Sequence, residues 1–256
     1  IALVLAPQTT APFNSPLSRS RASPSLTNAT AVFARDPQSV EAARALGAHP
    51  VKSTDVVFEL PRPTVASSRD VIFNVSGLLW NGHGDVNREA YRANVRRFID
   101  GAHKAGRSVS VLAHVVDNPT SDNDMPAVNR LAQEFTFVEP LIPADLTEAR
   151  ELIASAKVVV GARMHACLNA LSIGIPAVAW AYSRKFAPLM NDLGWSHVLD
   201  VRDQDLPSKT LSALRDAESD KRVADLSPVS RQALAITRKR LQEAVPAQAP
   251  NRSAAR

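Results

Sequence analysis

Cysteine is almost absent from this chain. Cys167 is the single one among 256 residues, which excludes an intrachain disulfide framework and fits a reducing compartment. Its neighbours are small and apolar, so a packing role is the reading for it. Aromatic residues amount to 5%, too few for base stacking to support nucleic-acid binding. Glycine is sparse too, 9 residues against 18 prolines, which argues against glycine-rich linkers. No apolar stretch approaches the ~20 residues of a membrane-spanning helix. There is no internal repeat and no dense Lys/Arg run. The only low-complexity stretch is Pro246–Arg256, too poor in large apolar groups to fold and read as a disordered tail.

What is present is an ordinary globular composition, 45% hydrophobic and 21% charged. The net charge is +5 and the pI near 9.7. With no basic cluster, this excess suits small anionic ligands or a solvated surface. The chain starts at Ile1, without Met, inside a strand-like run (Ile1–Ala6), and reads as a partial sequence.

Ala156–Lys185 organises the rest. Lys157–Val160 is a β-branched run ending at Gly161. A helical pattern follows, with apolar Met164, Cys167, Leu168 and Leu171. Gly174 sits where a helix C-terminus wants a left-handed residue, and Pro176 stops any continuation. Ala177–Trp180 is a second apolar run, so the stretch is a βαβ unit with parallel strands and a right-handed crossover. Arg163 and His165 interrupt it at the strand-to-helix turn, on the carboxyl edge of the sheet, where open α/β folds bind ligands. A helix N-terminus offers N–H groups and a positive dipole end, and arginine adds a bidentate fork. Tyr182 and Lys185 return to that edge. Alone, Arg163 reads as the cap of a surface turn and His165 as a half-buried ring; together with Tyr182 and Lys185 they predict an anion site.

Along the rest of the chain, residues 7–30 are rich in Pro, Ser and Thr, with a weak helix around Leu17–Leu26. Ala31–Ala34 reads as a strand, and Asp36-Pro37 as a cap and first residue of a helix closed at Gly47. Arg35 ends that strand and is a second anion clamp, or a partner of Asp36 or Asp55. Val56–Phe58 reads as a strand and Pro61-Arg62-Pro63 as a linker. Strands are predicted at Val71–Val75, Ser108–Ala113, Phe135–Val138 and Val198–Val201. Helices are predicted around Tyr91–Ala102, at Met125–Glu134 and Leu146–Ala156, after Lys185 to Leu193, and at Pro207–Ala217 and Ser230–Ala244. Asn81–Asp85 reads as a mobile turn. His114, with Asp117, Asp122 and Asp124 beyond it, matches no tight metal-ligand spacing, so an acidic turn is preferred and no metal is assigned. The alternation predicts a doubly wound α/β domain over residues 63–220. Residues 1–62 read as the remnant of an N-terminal α/β domain, 221–245 as a C-terminal helix, and 246–256 as the tail.

These motifs resemble those of the polysaccharide pyruvyl transferases. The family's Arg-x-His, small-residue helix, Gly-x-Pro and Tyr-x-x-Lys correspond to Arg163 through Lys185. Ala6–Phe13, Ala34–Ser39, Thr54–Phe58, Asn74–Leu79 and Ala113–Val115 are similar in order and spacing, so the resemblance covers residues 3 to 195. It implies a GT-B-like fold of two doubly wound domains facing one cleft, with the first domain only partly present and the final helix crossing back to it. It also implies transfer of a pyruvyl group from phosphoenolpyruvate to a saccharide as a ketal, in cell-surface polysaccharide biosynthesis. Under it, His165 and His114 are catalytic candidates, and Arg163, Arg35, Tyr182 and Lys185 bind substrate. No cofactor is needed beyond the donor. The acceptor is a saccharide or lipid-linked glycan, and the location is cytoplasmic, at the inner membrane face where the acceptor is lipid-linked. Two other readings stay open: a GT-B glycosyltransferase using a nucleotide sugar, with Asp192 or Asp200 as the ribose contact, or an inactive fragment that only binds a small anion.

Overall fold

The computed structural model describes residues 2–10, 13–183 and 185–245. The tail expected over 246–256 lies outside them. Contacts divide the chain into two compact units, Ile1–Glu59 with Pro228–Arg256, and Leu60–Ser227.

The first unit has a three-stranded parallel sheet of β1 (Val4–Gln8), β2 (Ala31–Ala34) and β3 (Val51–Lys52), in that order. Between the strands run α1 (Pro16–Thr27) and α2 (Pro37–Arg44). Asp36 caps α2 as expected, its carboxylate accepting from Ser39 N at 2.8 Å. Leu26, Val32, Ala43 and Ala48 form the small core. The strand expected at Val56–Phe58 is instead a 3-10 turn over Val56–Glu59. Asp55 decides this: its side chain accepts from Val57 N at 3.1 Å, and such a local bond competes with sheet formation.

The second unit is a six-stranded, all-parallel sheet. Its strands are β4 (Arg69–Asn74), β5 (Val109–Leu112), β6 (Glu139–Leu141), β7 (Ala156–Gly161), β8 (Ala177–Ala181) and β9 (Val198–Asp200). They lie in the order β6-β5-β4-β7-β8-β9. Numbered within the unit this is 3-2-1-4-5-6, the doubly wound order, and the direction of winding reverses between β4 and β7. The helices are α3 (Gly77–Asn81), α4 (Arg88–Lys104), α5 (Met125–Glu134), α6 (Leu146–Ala154), α7 (Met164–Ile173), α8 (Phe186–Asp192) and α9 (Leu206–Ser219).

Sequence periodicity sets the packing. Tyr91, Val95, Phe98, Ile99 and Ala102 form the buried face of α4. On the sheet, Trp180 takes Phe73, Phe98 and Tyr91 at ring distances of 5.0, 5.7 and 6.3 Å. Its indole N–H donates to Thr210 Oγ1 on α9 at 2.9 Å, so this core also satisfies its polar atom. Gly174 ends α7 in the left-handed conformation, φ +85°.

Two expectations move. The strand predicted at Phe135–Val138 begins only at Glu139, because β6 is an edge strand paired with β5 alone, where Pro140 is tolerated. Phe135 and Phe137 instead lie beside each other, and Phe137 stacks on His103 at 3.8 Å. The turn expected to be mobile at Asn81–Asp85 is pinned by a His83–Val86 bridge and an Asp85–Arg202 ion pair at 3.0 Å.

The last helix, α10, spans Val223–Ala244, beginning before the predicted Ser230. From Pro228 onward it belongs to the first unit. Thr237 Oγ1 meets Ser53 Oγ at 2.7 Å, Arg231 Nε donates to the Phe58 carbonyl at 2.9 Å, and Arg238 pairs with Glu59 at 2.6 Å. No described helix is long and apolar enough to cross a membrane.

Cys167 is buried in α7 against the end of β7: a Cβ on Gly161 would come within 2.6 Å of its sulfur. Burial pushes its thiol pKa up to about 12, which suppresses the reactive thiolate. The folded chain should therefore stay inert to a thiol-specific disulfide reagent at pH 8 and take up one equivalent only in denaturant. Rapid labelling of the native chain would show that α7 opens locally.

Candidate active site at the sheet reversal

At the carboxyl ends of β4, β5 and β7 three chain exits meet at one carboxylate. Asp124, fully buried, precedes α5. Its Oδ1 accepts from Gly77 N at 2.6 Å and from Arg163 Nη2 at 2.6 Å. Its Oδ2 accepts from His114 N at 3.0 Å and Val115 N at 2.9 Å. Arg163 completes the cluster by donating to Asp122 Oδ1 at 2.6 Å and to the Asp122 carbonyl. Asn74, last residue of β4 and fully buried, ties the same exits from below. Its Oδ1 accepts from Arg163 N at 3.0 Å and its Nδ2 donates to the Leu112 carbonyl at 3.0 Å.

This packing explains a glycine. A Cβ on Gly77 would lie 1.9 Å from the Asn123 carbonyl oxygen, so only glycine lets the loop before α5 descend far enough for Asp124 to reach the β4 exit.

The expectation for Arg163 changes accordingly. Neither a surface cap nor an open anion clamp, it is a buried guanidinium facing two carboxylates of its own chain. Burial lowers its pKa, but Asp124 and Asp122 outweigh that and raise it above the ordinary value. The acidic turn after His114 supplies these partners. Among the described residues no group of three or more His, Cys, Asp or Glu side chains is placed to hold a metal.

His165 lies in the first turn of α7 and is exposed rather than half-buried. The N-cap residue of that helix is Arg163, whose side chain makes no capping hydrogen bond and cannot accept one. The helix end at the reversal therefore presents N–H groups beside an exposed imidazole. His114, at the β5 exit, is half-buried. Burial pulls its pKa down to about 4, Asp124 working against the shift and His165 and Arg163 with it, so the ring is neutral at pH 7. Tyr182, beyond β8, is half-buried against Phe186 and His83, at ring distances of 5.5 and 6.3 Å. Burial raises its pKa, and its hydroxyl feels Arg163, Asp122 and Asp124. Lys185 is exposed at the N-cap of α8.

His114, Arg163, His165 and Tyr182 thus share one sheet edge. Arg35 belongs to the first unit, where its guanidinium pairs with Asp55 at 2.5 Å and Nε donates to Thr9 Oγ1 at 2.8 Å. Of the partners foreseen for it, Asp55 is the one observed. Sequence reasoning read Asp124 as part of an acidic turn and Asn74 as part of a family motif without their roles as ties, and it missed the buried pair Asn169 and Arg150. A signal existed for two of them: Asn74 ends an apolar strand, and Asn169 stands four residues after His165 on the same helical face.

Asp124→Asn keeps the shape and removes the buried charge, leaving Arg163 underpaired. Urea unfolding should show a loss of about 3–5 kcal/mol. Asp122→Asn, at a partner whose side chain is 36% exposed, should cost about 1 kcal/mol or less. Equal losses would mean that Asp124 is not the hub.

Comparison with known proteins places this geometry. No curated protein sequence matches the chain. Among solved structures it is similar to a UDP-GlcNAc 2-epimerase from Methanocaldococcus jannaschii, at 10% identity and a TM-score of 0.58, covering 93% of this chain and 70% of that one. It is also similar to the trehalose-6-phosphate synthase OtsA, at 12% identity and a TM-score of 0.58, covering 94% and 67%. A third is Anabaena HepE, solved with UDP and glucose, at 13% identity and a TM-score of 0.54, covering 96% and 72%. At such identities these likenesses show the fold alone: α/β, GT-B-like, with two parallel sheets flanked by helices. The family model for polysaccharide pyruvyl transferase matches residues 2–184, a span that holds every side chain of the Asp124 cluster, and the chain belongs to that family.

Proposed function

We propose that this enzyme transfers a pyruvyl group from phosphoenolpyruvate to a saccharide, forming a ketal across two hydroxyls, in the synthesis of a cell-surface polysaccharide. The observation that carries the reading is the exposed His165 on the uncapped N-terminus of α7, at the sheet reversal of a chain in this family. Phosphoenolpyruvate carries a phosphate and a carboxylate, and a helix N-terminus beside an imidazole suits one of them. Lys185 and Tyr182 on the same edge suit the other. Arg163 acts behind the site, holding its loops.

Ketal formation needs a proton delivered to the donor's methylene carbon, which becomes the methyl group. The two acceptor hydroxyls add to the adjacent carbon, its bond to the phosphate oxygen breaks, and inorganic phosphate leaves. Two hydroxyl protons are released; one balances the proton taken up by carbon and the other leaves with phosphate or solvent. His165 is placed to supply the first proton. A lipid-linked acceptor would bring the protein to the inner face of the cytoplasmic membrane. The chemistry requires no metal and no cofactor.

One observation favours a second reading, glycosyl transfer from a nucleotide sugar: the similar HepE structure holds UDP and glucose. Thermal unfolding separates the two, because a ligand that binds only the native state raises its stability, by about 2.7 kcal/mol at a hundred times Kd. Phosphoenolpyruvate should raise Tm by several degrees, UDP-sugars should not, and His165→Ala should lose most of the shift. A shift with UDP-sugars alone would replace the reading by glycosyl transfer. A shift with phosphoenolpyruvate but no ketal with any glycan acceptor would reduce the chain to an anion-binding module.

A further inference from the structure

The hydrogen bonds around Asn169 fix which nitrogen of His114 carries its proton. Arg150 is buried, and its Nη1 donates to Asn169 Oδ1 at 2.5 Å. A guanidinium has no acceptor, so the Asn169 atom facing it is the carbonyl oxygen and the amide nitrogen points the other way. That Nδ2 lies 2.8 Å from the His165 carbonyl oxygen and 3.3 Å from His114 Nε2. An amide nitrogen only donates. Nε2 is therefore the unprotonated ring nitrogen, and the proton sits on Nδ1. Among the described residues Nδ1 has no hydrogen-bond partner, nor is it a sealed, unsatisfied atom; it opens to solvent at the sheet edge. Asn169 stands one turn beyond His165 on α7, so His114 Nε2 meets the second turn of that helix, while His165 and Arg163 at its N-terminus lie near enough to the ring to act on its charge.

We propose that His114 is a neutral hydrogen-bond donor, through Nδ1–H, to the anion held at the N-terminus of α7, and is not the base that takes a hydroxyl proton. The identity of that anion, the phosphate or carboxylate of phosphoenolpyruvate, rests on the pyruvyl-transfer reading. The charged and titrating groups facing the ring are Asp124 before α5 and Arg163 and His165 at the β7–α7 junction. Burial outweighs the pull of Asp124 and keeps the ring uncharged near neutrality, where so weak a base accepts little proton. An uncharged N–H donor, by contrast, is present unchanged through the neutral range. Proton transfer then falls to the exposed imidazole of His165.

Nitrogen NMR of the chain labelled at histidine reads the tautomer directly, with His114 assigned from the His114→Gln spectrum. The expected result is a proton on Nδ1, a bare Nε2 and no titration between about pH 6 and 8. The Nδ1 signal should move on addition of phosphoenolpyruvate or inorganic phosphate. Asn169→Asp is nearly isosteric but offers only acceptors: Arg150 takes one carboxylate oxygen and the other accepts from Nε2–H. It should move the proton to Nε2 and weaken binding of both ligands by about 10- to 100-fold. His114→Asn, which keeps an N–H near the Nδ1 position, should bind within about tenfold of wild type, while His114→Ala falls 10- to 100-fold. A wild-type proton on Nε2, an Nδ1 signal indifferent to both ligands, or an unchanged tautomer in Asn169→Asp would each overturn the assignment. If inorganic phosphate moves Nδ1 while phosphoenolpyruvate yields no ketal, the assignment stands and the pyruvyl reading falls.

Discussion

The ion pair between Arg163 and Asp124 is the contact on which the functional end of the second unit depends. A carboxylate with no exposed surface is tolerable only when its oxygens are fully engaged. Here they accept two backbone N–H groups from the β5 exit, one from the β4 exit and a guanidinium from the β7 exit. Each of these three chain exits would otherwise be a separate loop with its own conformational freedom. Joined at one buried charge, they hold His114 and His165 in a fixed relation across the reversal of the sheet. Gly77 belongs to the same device, since any side chain there would lift the Asn123 backbone and with it Asp124.

The opposite edge of the same sheet also carries ion pairs, and the contrast is instructive. Arg107 bridges Asp70 and Glu218 at 2.6 Å each, and Arg69 meets Glu139 at 2.6 Å. Those side chains keep contact with water, none less than 18% exposed. Such pairs lend modest stability, and the Arg107–Glu218 pair ties this edge to α9. The carboxyl edge instead accepts the cost of burying charge. Its return is a preorganised geometry, the usual trade at a functional end of an α/β sheet.

Much of this was legible in the sequence, and the parts that were not share a cause. Periodic burial is a local signal, so α4, the bounds of α5 and the left-handed Gly174 could be read directly from residue spacing. The placement of Arg163 and His165 at a strand-to-helix turn followed from the βαβ pattern alone. The partners of Arg163 did not follow, because Asp122 and Asp124 lie about 40 residues upstream and only the strand order brings them to β7. A Ser-Asp-Asn-Asp segment without that order is indistinguishable from a solvated acidic turn. The misplaced strands failed for the opposite reason, an overriding local bond at Asp55 and an edge position at β6. Fold class, being carried by alternation, was readable; the charge balance of the site, being carried by topology, was not.

That balance decides how an anion can bind here. Arg163 brings one positive charge and Asp122 and Asp124 bring two negative ones, so the cluster by itself repels an anion. His114 adds none, its ring being neutral at pH 7. Under the pyruvyl-transfer reading, attraction would therefore come from the N-terminus of α7, equivalent to about half a positive charge, and from the exposed Lys185. The sequestered Arg163 thus turns what sequence alone reads as an anion clamp into a structural charge, and under the pyruvyl-transfer reading it leaves the anion to the helix end and Lys185.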